Sequence, residues 1–268
     1  MTGDIAGISR RQLADYDAHL PGSIFEDPSF RLTVDQAYAV QIRIAALRVA
    51  RGEAIGGYKI GCVSEPVQRQ LNVSQPVFGH LFTTEFHRSG AELDPMAFEC
   101  LAIEGELAVR VAHDISDDTD AAQFLAEPLR LLESAFAVIE LHNNVFRAAT
   151  RTAQELIANN AFHAGMILPP VELPLSVVPK SLSETISVFR NGECLGTAPG
   201  GSIPGGPLAS VVSIVRHVLS LGGRVTKGQL LLTGSPLPLY PVKPGDHILV
   251  RDGSSGEVSV RISEPQLP

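Results

Sequence analysis

The spacing of apolar and polar residues predicts a chain that mixes a few helices with many short strands. Thr33 and Gln36 have the form of a capping box, and apolar residues at helical spacing follow them as far as Leu47. This helix is expected to stop near Gly52. Most later segments alternate with a period of two or are wholly apolar, which is typical of strands.

The remaining predicted elements lie between residues 58 and 262. A hairpin is predicted at 187–196 around Asn191-Gly192, and a helix from about Pro207 to Gly222-Gly223. Further strands are predicted at 58–61, 95–112, 230–233, 247–250 and 258–262. A helix is predicted at 121–137, the short polar segment 64–70 could also be helical, and a loop is predicted at 169–179. Pro128 begins or kinks the helix at 121–137. The pattern favours an α+β fold with a mixed β core and flanking helices.

Two glutamates, Glu104 and Glu106, lie inside an otherwise apolar segment that is predicted to be a strand. Residues i and i+2 of a strand point to the same face, about 7 Å apart. At that distance two carboxylates repel by about 2–3 kcal/mol at an effective dielectric near 20. Two interpretations follow from the spacing alone: a divalent cation neutralises the pair, or the strand is an edge whose glutamates face water.

A third acidic residue, Glu140, lies in another apolar segment, 137–141. A buried glutamate usually has a partner, and two such segments in one chain favour a shared cation over a solvated face. Three carboxylates are typical ligands of a hard ion, which predicts Mg²⁺ or Mn²⁺ rather than zinc.

Composition narrows the classes of function. The chain has 268 residues, 19% of them charged, and a formal net charge of −8, so nothing indicates a nucleic-acid partner. Its three cysteines form no CxxC motif, which favours reduced thiols over disulfides or a zinc site. No segment has the apolar pattern of a secretory signal or a membrane span, so a soluble cytoplasmic protein is expected.

Six short motifs follow one another along the chain: 57–61 (GYKIG), 75–79 (QPVFG), 103–106 (IEGE), 139–140 (IE), 231–235 (LLTGS) and 242–246 (VKPGD). From about Thr33 onward this succession resembles the 2-keto-4-pentenoate hydratase / 4-oxalocrotonate decarboxylase family of the fumarylacetoacetate hydrolase superfamily. The resemblance implies a mixed β-roll core with flanking helices. It also implies an N-terminal helical segment at residues 1–70, packed on a catalytic domain at residues 71–268.

The same resemblance implies the partners: a divalent metal, Mg²⁺ or Mn²⁺, and a small 2-oxo or 2-hydroxydienoate acid as substrate. It further implies a homo-oligomer, which in some pathways associates with a related pathway enzyme.

The family's functional residues carry over onto matching positions. Its metal ligands correspond to Glu104, Glu106 and Glu140, and its functional lysine to Lys59. An ammonium near a metal can bind the substrate carboxylate or move a proton, whereas the plainer interpretation of Lys59 is a surface lysine. Thr233, Gly234 and Ser235 could supply hydroxyl and backbone N–H donors to the substrate carboxylate, or could form an ordinary tight turn.

Five positions depart from the family's pattern: Val77, Asn143, Val145, Asn159 and Phe162. Several of these departures remove an acid or a base, and none affects the metal ligands. Metal binding is therefore expected to persist, whereas the groups that transfer protons are in question.

Three histidines lie beside these segments: His80, His142 and His163. One of them could have taken over acid/base work, although a single histidine is more often a core or surface residue. His142 ranks first because it lies two residues after Glu140, on the same face of a continuing strand.

The expected chemistry is metal-assisted enol/keto conversion, with hydration of a 2-hydroxy-2,4-dienoate as the first choice. The same enolate stabilisation supports decarboxylation of a 4-oxalocrotonate-like diacid or C–C hydrolysis of an acylpyruvate. Because acid/base positions differ around an intact ligand set, a catalytically altered partner subunit or ligand sensor stays open. So does a protein whose glutamates are solvated and bind no metal.

Overall fold

The fold is known from a computed structural model that describes residues 4–65, 68–69, 73–116, 126–174, 182, 185–253 and 256–264. Its α-helices are α1 (Ile5–Asp17), α2 (Val34–Ala50), α3 (Ala153–Ala158) and α4 (Gly206–Ser220). Its strands are β1 (Ile55–Gly61), β2 (Val77–Phe82), β3 (Phe86–Arg88), β4 (Ala91–Leu93), β5 (Leu101–Val111), β6 (Leu132–Asn143), β7 (His163–Leu168), β8 (Leu173–Pro174), β9 (Thr185–Arg190), β10 (Glu193–Pro199), β11 (Leu230–Leu232), β12 (Tyr240–Pro241), β13 (His247–Asp252) and β14 (Gly256–Ile262).

In the described residues these strands form two mixed sheets. The larger has the order β2-β1-β11-β5-β6-β7-β3, with β12 also paired to β5 and β8 to β6. The smaller has the order β10-β9-β13-β14-β4. Most neighbours are antiparallel, whereas β1 with β11, β3 with β7 and β14 with β4 are parallel. This mixed core confirms the predicted α+β class and β-roll type.

The long strands β5 and β6 are buried on both faces, and the two faces differ in chemistry. One face packs Ile103, Leu107 and Ile139 against the smaller sheet in the main hydrophobic core. Gly105 fits there because a Cβ at this position would lie 2.7 Å from Val188 Cγ2 of the smaller sheet. The opposite face carries the glutamates beside a smaller apolar cluster of Leu81, Ala108, Phe136, Val138, Met166, Leu230 and Leu232.

The N-terminal helices form a separate apolar cluster with α3, and this cluster lies over β2. The predicted capping box is present: the Thr33 side chain accepts from the Gln36 backbone, and the Gln36 side chain accepts in return. β1 lies in the larger sheet between β2 and β11. The predicted division into residues 1–70 and 71–268 stays a prediction. No helix in the described ranges is both long and apolar enough to cross a bilayer.

One predicted element is wrong in its second half. The helix expected over 121–137 is replaced from Leu132 onward by β6, after a short 3-10 turn at Pro128–Leu131. β6 is covered on both faces, so its apolar run lacks the alternation that marks a half-buried strand. Residues 121–125 of this prediction lie outside the described ranges.

The other predictions of elements hold where the structure describes them. The 187–196 hairpin turns at Asn191 and Gly192, both with positive φ, as an Asn-Gly turn requires. α4 and the late strands are also confirmed. The predicted strand at 95–112 begins later, at Leu101, and the loop after Pro169 contains the two-residue strand β8. Residues 66–67 and 70 of the 64–70 segment, and 175–179 of the loop, lie outside the described ranges.

Candidate active site

The pairing of β5 with β6 brings the third glutamate to the first two. Glu104 lies directly opposite Glu140 in the antiparallel register, and Glu106 lies opposite Val138. Directly opposed residues share a face of the sheet with their Cβ atoms about 5 Å apart. Glu106 and Glu140 are fully buried, whereas Glu104 has 21% of its side chain exposed. We call these three residues the carboxylate cluster.

Lys59 reaches the carboxylate cluster from β1, two strands away from β5. Its Nζ lies 2.9 Å from Glu140 Oε1, and its side chain is 3% exposed. The neighbouring Tyr58 and Ile60 point to the opposite face, into the main core. The alternation of β1 therefore directs the ammonium at the glutamates, and the interpretation of Lys59 as a surface lysine is wrong.

Two histidines also contact the carboxylate cluster. His142 Nε2 lies 3.2 Å from Glu140 Oε2 and 3.3 Å from Glu104 Oε2. His163 Nδ1 lies 2.7 Å from Glu140 Oε1, on the oxygen that Lys59 also contacts. β6 supplies His142 and β7 supplies His163, in register with each other. Sequence reasoning ranked His142 first and did not foresee the contact of His163, because that contact depends on the pairing of β6 with β7.

Burial and opposite charges act against each other on the pKa values of this site. Burial alone would raise the pKa of Glu140, but Lys59 and His142 outweigh it and hold this pKa well below its usual range. Burial raises the pKa of Glu106 well above the usual range, and the negative charge of Glu140 adds to the effect. Burial would lower the pKa of Lys59, yet the carboxylates, Glu140 first, raise it. Burial would also lower the pKa of His142, but the negative charges of Glu140 and Glu104 outweigh it and raise this pKa to about 9.

The cluster contains buried polar atoms that the protein itself does not satisfy. Glu106 Oε2, Glu140 Oε2 and His142 Nε2 have no hydrogen-bond partner among the described residues. Ligand atoms of Glu104, Glu140 and His142 all lie within 4.8 Å of one another, as the ligands of one metal ion do. Buried polar atoms without partners are costly, so this donor set fits a divalent cation.

The segment predicted to bind substrate contacts Glu106. The Gly234 N–H donates a short hydrogen bond to Glu106 Oε1. Thr233 Oγ1 donates to the Leu107 carbonyl oxygen at 3.0 Å, and Ser235 Oγ donates to the Gly105 carbonyl oxygen at 3.0 Å. In this structure these donors form hydrogen bonds with residues 105–107 of β5, the strand that carries Glu106. Their role toward a substrate stays a prediction.

The positions that depart from the family pattern have structural contacts. Val77 and Phe162 are buried in the N-terminal apolar cluster, and Val145 is also buried. Asn143 Oδ1 accepts from the backbone N–H groups of Glu99 and Cys100, and Asn159 Oδ1 accepts from Gln12. These contacts account for the residues as packing and loop-fixing groups.

His80 lies apart from the carboxylate cluster. Its backbone pairs with the Asn160 side chain, and its ring packs near Tyr58 at 5.4 Å between ring centroids. Burial lowers the pKa of His80 to about 4, so its ring is neutral near pH 7. A cavity of about 50 Å³ lies between His80 and His163, beneath α1 and α2.

In sequence, the chain is similar to curated hydratases. It is 29% identical to the 2-keto-4-pentenoate hydratase of Paraburkholderia xenovorans, over 88% of this chain and 86% of the relative. It is 26% identical to the 2-hydroxyhexa-2,4-dienoate hydratase of Comamonas testosteroni, over 87% and 88%. No family model matches the chain.

A solved structure shares the fold over nearly the whole chain. The 4-oxalocrotonate decarboxylase of Pseudomonas putida G7, complexed with magnesium and adipate, aligns with a TM-score of 0.85 at 24% identity and covers 97% of both chains. These similarities confirm the resemblance predicted from the motifs: the chain is similar in sequence to 2-keto-4-pentenoate hydratases and shares the fold of a 4-oxalocrotonate decarboxylase.

Proposed function

We propose that this protein is a divalent-metal-dependent hydratase, a hydro-lyase that adds water to a 2-hydroxy-2,4-dienoate through its 2-oxo tautomer. The observation that carries the proposal is a buried set of carboxylates with unpartnered atoms beside a buried lysine. The curated relatives that share most of the chain are hydratases of such acids, which supports the same reaction class here.

Glu104, Glu106 and Glu140 would hold the ion, which we propose to be Mg²⁺ or Mn²⁺. An anionic substrate cannot approach three carboxylates unless positive charge offsets them. A divalent cation bound there would stabilise the negative charge that develops on the 2-oxygen when the enol loses its proton.

Lys59 supplies the second positive charge. Its raised pKa keeps the ammonium protonated near pH 7, so it acts as a hydrogen-bond donor rather than as a base. A compact ammonium can bind the substrate carboxylate or deliver a proton to the substrate. Burial excludes bulk water from this donor and strengthens its interaction with an anion.

The reaction consists of two proton movements and one addition. Loss of the proton on the 2-hydroxyl group and protonation at C5 convert the dienol into a 2-oxo-3-enoate. Water then adds at C4, and a proton taken up at C3 gives the 4-hydroxy-2-oxo acid. The net change is the addition of one water molecule.

The test is an assay on freshly generated 2-hydroxypenta-2,4-dienoate with metal-free protein to which Mg²⁺ or Mn²⁺ is restored. We expect metal-dependent loss of the dienoate absorbance and, by NMR in D₂O, a 4-hydroxy-2-oxo acid labelled at C3 and C5. Lys59→Met is the matched variant, because it keeps the length of the side chain and removes its charge.

The competing activities have different products in the same experiment. CO₂ release from 4-oxalocrotonate with formation of a dienoate would assign the decarboxylase activity instead. Cleavage of an acylpyruvate into two acids would assign the C–C hydrolase. Metal-dependent binding of oxalate without turnover of any of these substrates would assign the altered partner subunit or sensor.

A further inference from the structure

His142 occupies a position that the predicted all-carboxylate metal site does not account for. Its side chain is 7% exposed, and its Nε2 atom has no hydrogen-bond partner among the described residues. That atom lies between Glu104 Oε2 and Glu140 Oε2, at 3.3 and 3.2 Å. Without an ion this nitrogen forms ion pairs with both carboxylates; a metal ion that binds between them would displace the ring proton and take the neutral imidazole as a ligand.

The separations are those of neighbouring ligands around one first-row ion. With metal–ligand bonds of about 2.1 Å, adjacent ligand atoms are about 3.0 Å apart in an octahedron and about 3.4 Å apart in a tetrahedron. The two measured distances fall between these values. Ligand atoms of Glu104, Glu140 and His142 form the one group of this kind found in the described residues.

The two carboxylate oxygens of Glu140 have different contacts. Oε1 is held by Lys59 at 2.9 Å and by His163 at 2.7 Å. Oε2 has no hydrogen-bond partner and faces His142. Outer contacts of this kind orient a ligating carboxylate and leave its second oxygen for the metal. Lys59 and His163 therefore belong to the support of the site, and His142 faces its interior.

Glu106 is held differently from these ligand atoms. Its Oε1 accepts the short hydrogen bond from Gly234, and its Oε2 is buried without a partner. Glu106 is not part of the group whose ligand atoms lie within 4.8 Å of one another, so the donor set inferred here is Glu104, Glu140 and His142.

We infer that His142 is a metal ligand in this protein, so that the site selects a borderline first-row ion such as Fe²⁺, Co²⁺ or Zn²⁺ over Mg²⁺ and Ca²⁺. Imidazole favours borderline ions, whereas Mg²⁺ and Ca²⁺ take oxygen ligands. The inference rests on the metal site of the proposed function and changes the role first predicted for His142, from acid/base group to ligand.

The experiment detects the metal ligand by spectroscopy and does not depend on catalytic activity. Metal-free protein is loaded with Mn²⁺, and electron spin echo envelope modulation detects ¹⁴N coupling from a directly bound imidazole. The variants are His142→Ala, His142→Gln, which keeps bulk and offers an oxygen, and His163→Ala as the matched control. Calorimetric titrations with Co²⁺ and with Mg²⁺ give the dissociation constants for the same proteins.

We expect a ¹⁴N signal in the wild type and in His163→Ala, and none in either His142 variant. The dissociation constant for Co²⁺ should rise by about 100-fold in His142→Ala, since loss of a ligand costs at least as much as loss of an outer contact. The constant for Mg²⁺ should change by about threefold or less, because water replaces a ligand that this ion does not favour.

Other results would overturn the inference in distinguishable ways. A signal that survives in both His142 variants and disappears in His163→Ala would make His163 the ligand. Tight metal binding with no ¹⁴N signal in the wild type would show an all-oxygen site, and the proposed function would stand without the inference. Absence of binding of either ion would refute both.

Discussion

Two buried groups of charges in this protein differ in whether the protein completes them. In the arginine cluster (Arg48, Glu53 and Glu85), the Arg48 guanidinium lies 2.6 Å from Glu53 and 2.7 Å from Glu85, and it stacks 3.6 Å from the centroid of the Phe82 ring. In the carboxylate cluster, three acids face one lysine and two histidines. Among the described residues, Glu106 Oε2, Glu140 Oε2 and His142 Nε2 have no hydrogen-bond partner, whereas Glu85 Oε2 is the one such atom in the arginine cluster.

The difference separates a structural group from a functional one. In the arginine cluster Arg48 of α2 contacts both carboxylates, and Arg51 supplies a second cation to Glu53. In the carboxylate cluster Glu106 has no ion pair among the described residues, and burial together with the charge of Glu140 raises its pKa well above the usual range. Deep burial of unbalanced charge is costly to folding and persists where a bound ion balances it.

The largest expected effect is on catalysis when the central carboxylate is neutralised. In Glu140→Gln we expect kcat/KM to fall by about 1000-fold, or about 4 kcal/mol of transition-state stabilisation, because metal ligand, lysine partner and histidine partner are lost together. Glu133→Gln, an exposed position on the same strand, should keep wild-type activity. Steady-state kinetics on the dienoate compares the two, and an equal loss in both would contradict the assignment.

The arginine cluster should respond in stability instead. Arg48→Leu leaves the buried Glu85 carboxylate without its cation and Glu53 with Arg51 alone, and we expect the free energy of unfolding to fall by about 3–5 kcal/mol. Arg69→Leu is the control, since its ion pair with Glu65 is more than two thirds exposed at both ends and is worth about 0–1 kcal/mol. Urea unfolding followed by circular dichroism measures both, and similar midpoints for the two variants would remove the distinction.

These two clusters also show how far the sequence predicts this molecule. The capping box at Thr33 and the Asn191-Gly192 turn predict their elements because each is completed by residues adjacent in sequence. The spacing of Glu104 and Glu106 predicts a shared face for the same reason. Local rules thus identify most elements and two of the acids.

Local sequence rules do not predict features that depend on which strands pair with each other. The register that sets Glu104 opposite Glu140 and the pairing that brings His163 to Glu140 join segments 23–36 residues apart. The resemblance carried by the order of the motifs predicts Lys59, whereas the three glutamates are predicted both from their apolar segments and from that resemblance. β6 was predicted as helix at 132–137 because burial on both faces removes its periodicity.

A bound ion should stabilise one cluster without affecting the other. At a free metal concentration 100 times the dissociation constant, we expect the free energy of unfolding to rise by about 2.7 kcal/mol in the wild type. Arg48→Leu should gain the same increment, because the two clusters share no ion-pair partner in the described residues and such sites contribute additively. Glu140→Gln should gain much less.

Chemical unfolding of the three proteins with and without Mn²⁺ checks this expectation. A markedly smaller gain in Arg48→Leu would show that the clusters are coupled, and an unchanged gain in Glu140→Gln would place the ion elsewhere.

The smallest expected effect is a pH dependence that belongs to the arginine cluster alone. Burial would raise the pKa of Glu53, but hydrogen bonds from Arg48, Arg51 and Thr84 outweigh it and lower this pKa to about 2, from 4.5 in the unfolded chain. A carboxylate with a lowered folded-state pKa stabilises the fold above pH 4.5 and loses that contribution as the pH falls toward 2.

Glu53→Gln should therefore be less stable than the wild type at pH 6, by no more than about 1 kcal/mol because solvent screens part of the interaction. The difference should shrink toward zero by about pH 2, since the wild-type carboxylate is then protonated as well. Urea unfolding at several pH values between 6 and 2 measures this difference in stability. Arg51→Leu is included as a variant in which Glu53 keeps its contact with Arg48. A difference that stays constant with pH would mean that Glu53 acts through packing rather than through its charge, and the arginine cluster would then be less purely electrostatic than its ion pairs indicate.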